Sequence, residues 1–178
     1  MAIPGTAHDA AVGHDAAIPG PAGLVMRNLP ACVLGLLGIP LLAWFVPRNA
    51  GRDWWALGII VGALLVMYGA VALSSRSLPK ADPAVGSTQT QRAISSARTH
   101  GSLPSDPALR MMAGREACVR IHAVLVFSAV LAGIACGALV RPDLDWISPI
   151  GGLLVLTVLG WVRLPSAWGY LRLHARHR

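Results

Sequence analysis

Four stretches without a single Asp, Glu, Lys or Arg dominate this chain: residues 29–47, 54–73, 121–140 and 147–162. A bilayer core about 30 Å thick is crossed by about 17–25 predominantly apolar helical residues. The first three runs meet that length. The fourth is short, but Arg163 can snorkel toward water and let the span reach Leu171. Composition agrees, because only 13% of the residues are charged and the mean hydropathy is +0.58. A soluble domain of this size carries about a quarter charged residues. The expected fold is an all-α membrane protein with four transmembrane helices arranged as two hairpins.

The segments between the runs complete the organisation. Residues 1–28 form a low-complexity stretch in which "AIPG" and "HDAA" each occur twice. It reads as a flexible cytoplasmic tail, without the basic start and immediate apolar core of a signal peptide. A first hairpin is expected over 29–73, a basic cytoplasmic loop with short helices over 74–120, a second hairpin over 121–171 and a basic tail over 172–178. Pro30 suits a helix start, and Pro40 predicts a kink within the first span. Pro149 suits the first turn of the fourth.

Orientation follows from the basic residues. The tails and the 74–120 loop together hold twelve Arg or Lys, and the two short turns hold three: Arg48, Arg52 and Arg141. The bias places both termini and the long loop in the cytoplasm. Fourteen of the fifteen basic residues are Arg, a skew associated with GC-rich bacterial genomes. The expected location is therefore the bacterial plasma membrane. Aromatic residues fit this threading, with Trp44, Trp54, Trp55 and Trp146 at the outer interface and Trp161, Trp168 and Tyr170 at the inner one.

The two outer turns resemble one another. "RNAGRDWW" and "RPDLDW" each follow one apolar run and open the next. Asp53 and Asp145 are placed to cap the second and fourth spans, with Ser148 an alternative cap for the fourth. Trp54 and Trp146 are placed to anchor each re-entry at the interface. Arg27 precedes Trp54 by 27 residues, and Arg120 precedes Trp146 by 26. That spacing suggests a parallel internal repeat about an axis along the membrane normal. Chance similarity between two membrane hairpins explains it equally well.

Chemistry is sparse inside the runs. Ion-coupled transport usually places ionisable residues in the spans, and here only His122 qualifies. A bis-His haem needs a second facing imidazole that the runs do not provide. His8, Asp9, His14 and Asp15 have suitable metal-ligand types, but ordering a flexible tail would weaken any site there. Cys32, Cys118 and Cys136 lack the spacing of a disulfide framework or zinc site. No hydrolase, metalloprotease or phosphate-loop motif occurs. No cofactor, metal or catalytic residue is therefore expected. Helix packing is the stronger signal: Gly58 and Gly62 form a GxxxG pair, and Ala129, Gly133 and Gly137 form a small-residue ladder. Packing within the bundle is favoured over dimerisation for these faces.

In the long loop, residues 88–101 read as a short helix ended by Gly101. A second helix starts with Asp106 as N-cap and Pro107 at its first position, and runs into the third span. Arg110, Arg115 and Arg120 then suit an amphipathic segment on anionic lipid headgroups. A solvated helical hairpin packed on itself is the competing reading. The stretch "THGSLPSDPALR" (99–110) resembles a segment of uncharacterised small integral membrane proteins of actinobacteria. That resemblance covers a dozen residues and implies no function.

The expected role is a non-enzymatic accessory or scaffold protein acting through helix packing and a basic loop. Its expected partners are the lipid bilayer, anionic headgroups, and a second copy or a larger membrane complex, with no nucleic acid. A small oligomeric transporter or channel is the alternative.

Overall fold

The structure, a computed structural model, describes residues 18–45, 58, 61–65, 68–69, 72, 78, 85–144 and 146–177. Among these residues every regular element is a helix. The four continuous ones are α1 (Pro21–Phe45), α2 (Ser87–His100), α3 (Pro107–Val140) and α4 (Ile147–Arg176). Three segments are long and apolar enough to cross a membrane: Pro21–Phe45, Pro107–Val140 and Ile150–Arg176. They cover three of the four apolar runs. Most of the remaining run, 54–73, lies outside the described residues, although Gly58, 61–65, 68–69 and 72 are helical.

The helix ends follow local chemistry. Gly101 adopts φ +65° and its amide donates to the Ala97 carbonyl at 3.1 Å, which closes α2. Only glycine enters that left-handed region without a steric cost, so α2 stops there. Asp106 Oδ1 accepts from the Ala108 amide at 3.0 Å and caps α3. Pro107 takes the first helical position, where a missing N–H costs nothing. As the sequence led us to expect, α3 then continues without a break into the apolar run. Its 34 residues extend about 51 Å, well beyond a hydrocarbon core of about 30 Å.

One helix start differs from expectation. The sequence placed it near Pro30, but α1 begins at Pro21 and passes through both Pro30 and Pro40. Pro21 holds the first-turn position that Pro30 seemed to suit. Neighbouring helices can compensate the backbone bonds that an interior proline removes, so proline is tolerated in membrane helices. Similarly, α4 passes through Pro165.

The chain divides into two compact units. The membrane unit comprises residues 25–73 and 122–162. Its core gathers Ile39, Ala43, Val126, Val130, Ile134, Leu144 and Trp146. Gly133 faces Gly35 so closely that a Cβ on Gly133 would stand 2.2 Å from the Gly35 carbonyl oxygen. The α1 and α3 backbones therefore touch. On α4, a Cβ at Gly160 would stand 2.7 Å from Val124 Cγ2 of α3. Large apolar side chains point outward, among them Leu37 and Leu41 on α1 and Val158 and Val162 on α4. In a helix that spans a bilayer, such side chains need no burial in protein.

The peripheral unit comprises residues 1–24, 74–121 and 163–178. Thr90, Ala93, Ile94 and Ala97 form the buried face of α2. The first turns of α3 bury Ala113, Ala117 and Cys118, and the end of α4 buries Ala167, Tyr170 and Leu171. The Tyr170 hydroxyl donates to the Arg110 carbonyl at 2.9 Å and joins α4 to α3.

Candidate functional site

Among the described residues of the membrane unit, Arg141, immediately after α3, makes several side-chain hydrogen bonds. Its Nε and Nη2 donate to the two Asp143 carboxylate oxygens, each at 2.8 Å. Its Nη1 donates to the Ala43 carbonyl at 3.3 Å. Ala43 lies in the last turn of α1, where carbonyls have no helical partner. The Arg141 carbonyl accepts the Trp146 indole N–H at 2.8 Å. One residue thus ties the end of α1, the turn and the entry to α4. The hydrogen bond to Asp143, reinforced by its charge, raises the Arg141 pKa further against the opposing effect of burial.

This knot changes the reading of the turn. Trp146, expected as an interface anchor, is only 6% exposed. Its ring lies over Gly137, where a Cβ would stand 2.9 Å from Trp146 Cη2. The tryptophan is held inward because its N–H has a buried acceptor and the Gly137 surface admits its ring. Asp143 provides the carboxylate that organises the described turn. Asp145, the expected cap, lies outside the described residues, as do Asp53 and Trp54 and the side chain of Ser148.

A second polar contact joins α1 and α3. His122 Nδ1 hydrogen-bonds Asn28 Oδ1, and both residues are buried, at 3% and 2% exposure. A carboxamide oxygen only accepts, so the ring donates from Nδ1. The sequence puts His122 within the third apolar run and Asn28 at the end of the tail. The signal in the sequence is an uncharged polar residue set between Arg27 and the first apolar run. Asn28 enters the helix because α1 starts at Pro21, nine residues ahead of Pro30. On α4, the Trp161 indole donates to Ser128 Oγ at 3.0 Å.

The small residues divide into two groups. Gly133 and Gly137 are fully engaged within the chain, and Ala129, one turn before Gly133 on α3, is half-buried. Gly62 borders, with Gly35 and Gly38, an apolar crevice of about 140 Å3. Around Gly58, an added Cβ meets no described atom within 4 Å.

The three arginines expected at lipid headgroups are all half-buried in the peripheral unit. Arg110 Nε and Nη2 donate to the Pro104 carbonyl at 3.1 and 3.0 Å. Arg120 pairs with Glu116 one turn earlier at 3.0 Å. Arg115 Nε is shielded from solvent and has no hydrogen-bond partner among the described residues. Arg172 lies over the Trp168 ring, 6.0 Å from its centroid. Cys32, Cys118 and Cys136 form no disulfide, and no cluster of three or more potential metal ligands occurs among the described residues. No protein family, curated protein or solved structure matches the chain, so its chemistry is read from its own residues.

Proposed function

We propose that this chain is a non-enzymatic accessory or scaffold protein of a bacterial plasma membrane. It acts through helix packing in the bilayer and through its basic cytoplasmic loop. The observation that carries this reading is the pairing of its polar groups with one another. Asn28, His122, Arg141, Asp143 and Ser128 bond within the membrane unit, while apolar side chains cover the outward surfaces of α1 and α4. A bundle whose polar groups are paired with one another offers apolar packing surfaces to neighbours. Purification in a gentle detergent, followed by native mass spectrometry, tests the proposal. A stoichiometric partner or a homodimer is expected, and repeated recovery of a lone monomer would overturn it. A homo-oligomer that also conducts ions or solutes in liposomes would favour the channel alternative.

The reading includes four spans, with both termini and residues 74–120 in the cytoplasm and the two hairpins as repeats. The twelve-to-three division of basic residues supports this threading. Starting from a variant in which the three native cysteines are replaced, Gly51→Cys and Gly86→Cys should label from opposite sides. Labelling of both from one side would remove the second span from the topology.

A further inference from the structure

The peripheral unit contains a concave surface between α2 and the 102–109 segment, with a volume of about 470 Å3. Gln89, Arg92, Ser102 and Ser105 bring polar groups to it, Leu103 and Leu109 contribute apolar surface, and none of its lining residues is acidic. Arg92 is exposed, and its guanidinium makes no hydrogen bond or ion pair among the described residues. This distinguishes it from Arg110 and Arg120, which are committed to Pro104 and Glu116. Ser96 also lines the surface, but its hydroxyl already donates to the Ala93 carbonyl.

The walls are fixed before any ligand arrives. Ile94 and Ala97, each 1% exposed, hold the back of α2 in the unit. Gly101 reverses the chain, and Arg110 clamps the Pro104 carbonyl through two donors. Asp106, the nearest acidic neighbour in sequence, directs Oδ1 at the Ala108 amide of α3. The groove thus combines one free guanidinium, a free carboxamide and two hydroxyls on a preorganised frame. Donors arranged in this way suit an oxyanion, and a planar guanidinium fork matches phosphate oxygens. The adjoining leucines suit the carbon portion of an ester.

We infer that this groove binds the phosphate group of a phosphate ester, either a phospholipid headgroup or a soluble metabolite. Arg92 supplies the charge, while Gln89, Ser102 and Ser105 supply neutral donors. The inference rests on the proposed role of the basic loop in meeting anionic groups, and gives that role a defined site.

The test uses the full chain in phosphatidylcholine nanodiscs. Glycerol 3-phosphate is titrated in one arm, with sodium sulfate matching ionic strength. In the other, phosphatidic acid is added to the discs and retained lipid is counted by native mass spectrometry. Arg92→Gln should weaken binding roughly tenfold, as expected for loss of a charge-assisted bond. The Ser102→Ala/Ser105→Ala double variant should weaken it by a smaller factor. Arg98→Gln makes the same charge change on α2, outside the groove lining, and should leave binding nearly intact. Binding in the first arm alone identifies a soluble ester, and binding in the second alone identifies a headgroup. Equal losses from Arg92→Gln and Arg98→Gln, or no binding in either arm, would overturn the site. If partner recovery is normal when phosphate binding fails, only the groove is refuted and the scaffold proposal stands.

Discussion

The two units hold their helices together by different means. In the membrane unit, α1 and α3 meet backbone to backbone at Gly35 and Gly133. In the peripheral unit, α3 and α4 are joined through the Tyr170 hydroxyl on the Arg110 carbonyl, beside buried Ala113, Ala117 and Leu171. On the proposed threading, with the membrane unit in lipid and the peripheral unit in water, solvent accounts for the contrast. Lipid tails are as apolar as leucine, so burying leucine between membrane helices gains little, and close dispersion contact takes over. Where water bathes the outside, apolar burial drives association and side-chain hydrogen bonds select its geometry. Both units bury alanines and branched side chains alike, so the contrast lies in the glycine-to-glycine backbone contact of one and the tyrosine hydrogen bond of the other.

The strongest attack on this comparison is Gly133→Leu. A Cβ there would already stand 2.2 Å from the Gly35 carbonyl oxygen, so the helices must separate. The expected loss is about 3 kcal/mol, at the upper end for overpacking, measured by unfolding in mixed detergent micelles. Gly152→Ala is the control, because an added Cβ there meets nothing within 4 Å. It should be neutral or slightly stabilising through helix propensity. Equal losses in the two variants would remove the α1–α3 contact as the organising feature of the membrane unit.

Hydrogen bonds provide a finer comparison. Tyr170→Phe removes one buried hydroxyl donor in the peripheral unit and should cost about 1 kcal/mol in the same assay. Asn28→Leu removes the His122 acceptor in the membrane unit. Interhelical bonds in membranes average about 0.6 kcal/mol, because the unfolded chain in lipid also finds partners. The expected loss is therefore smaller than for Tyr170→Phe. A larger loss would mean that the Asn28–His122 contact, rather than glycine packing, holds α1 on α3.

Features governed by local chemistry were legible in the sequence. Pro107 behind Asp106 and Gly101 behind His100 mark helix ends through capping and a left-handed turn, and both ends occur where expected. The absence of charge marks apolar runs by length alone, and three coincide with membrane-length helices. Contacts between distant segments were not legible. Nothing near Arg141 in the sequence points to the Ala43 carbonyl, 98 residues away. Trp146 has the composition of an interface anchor whether its indole faces headgroups or a buried carbonyl. Pro21 and Pro30 both satisfy the local rule for a helix start, and only tertiary packing distinguishes them. The groove around Arg92 was also hidden, because charge content does not reveal which arginines are already committed.

That difference in commitment leads to the smallest expected stability effect. Arg120 and Glu116 form an i,i+4 pair with side chains 20% and 41% exposed. Such pairs stabilise a helix by about 0.3–0.5 kcal/mol, less in salt. Arg120→Gln should therefore barely shift unfolding, and the shift should disappear in high salt. Its effect on lipid binding is more informative. If Arg120 also meets anionic headgroups, the substitution lowers cosedimentation with vesicles containing phosphatidylglycerol while stability is nearly unchanged. If Glu116 fully occupies its charge, cosedimentation is unaffected and Arg92→Gln alone reduces it. The paired measurement separates arginines that shape the peripheral unit from those available to a ligand.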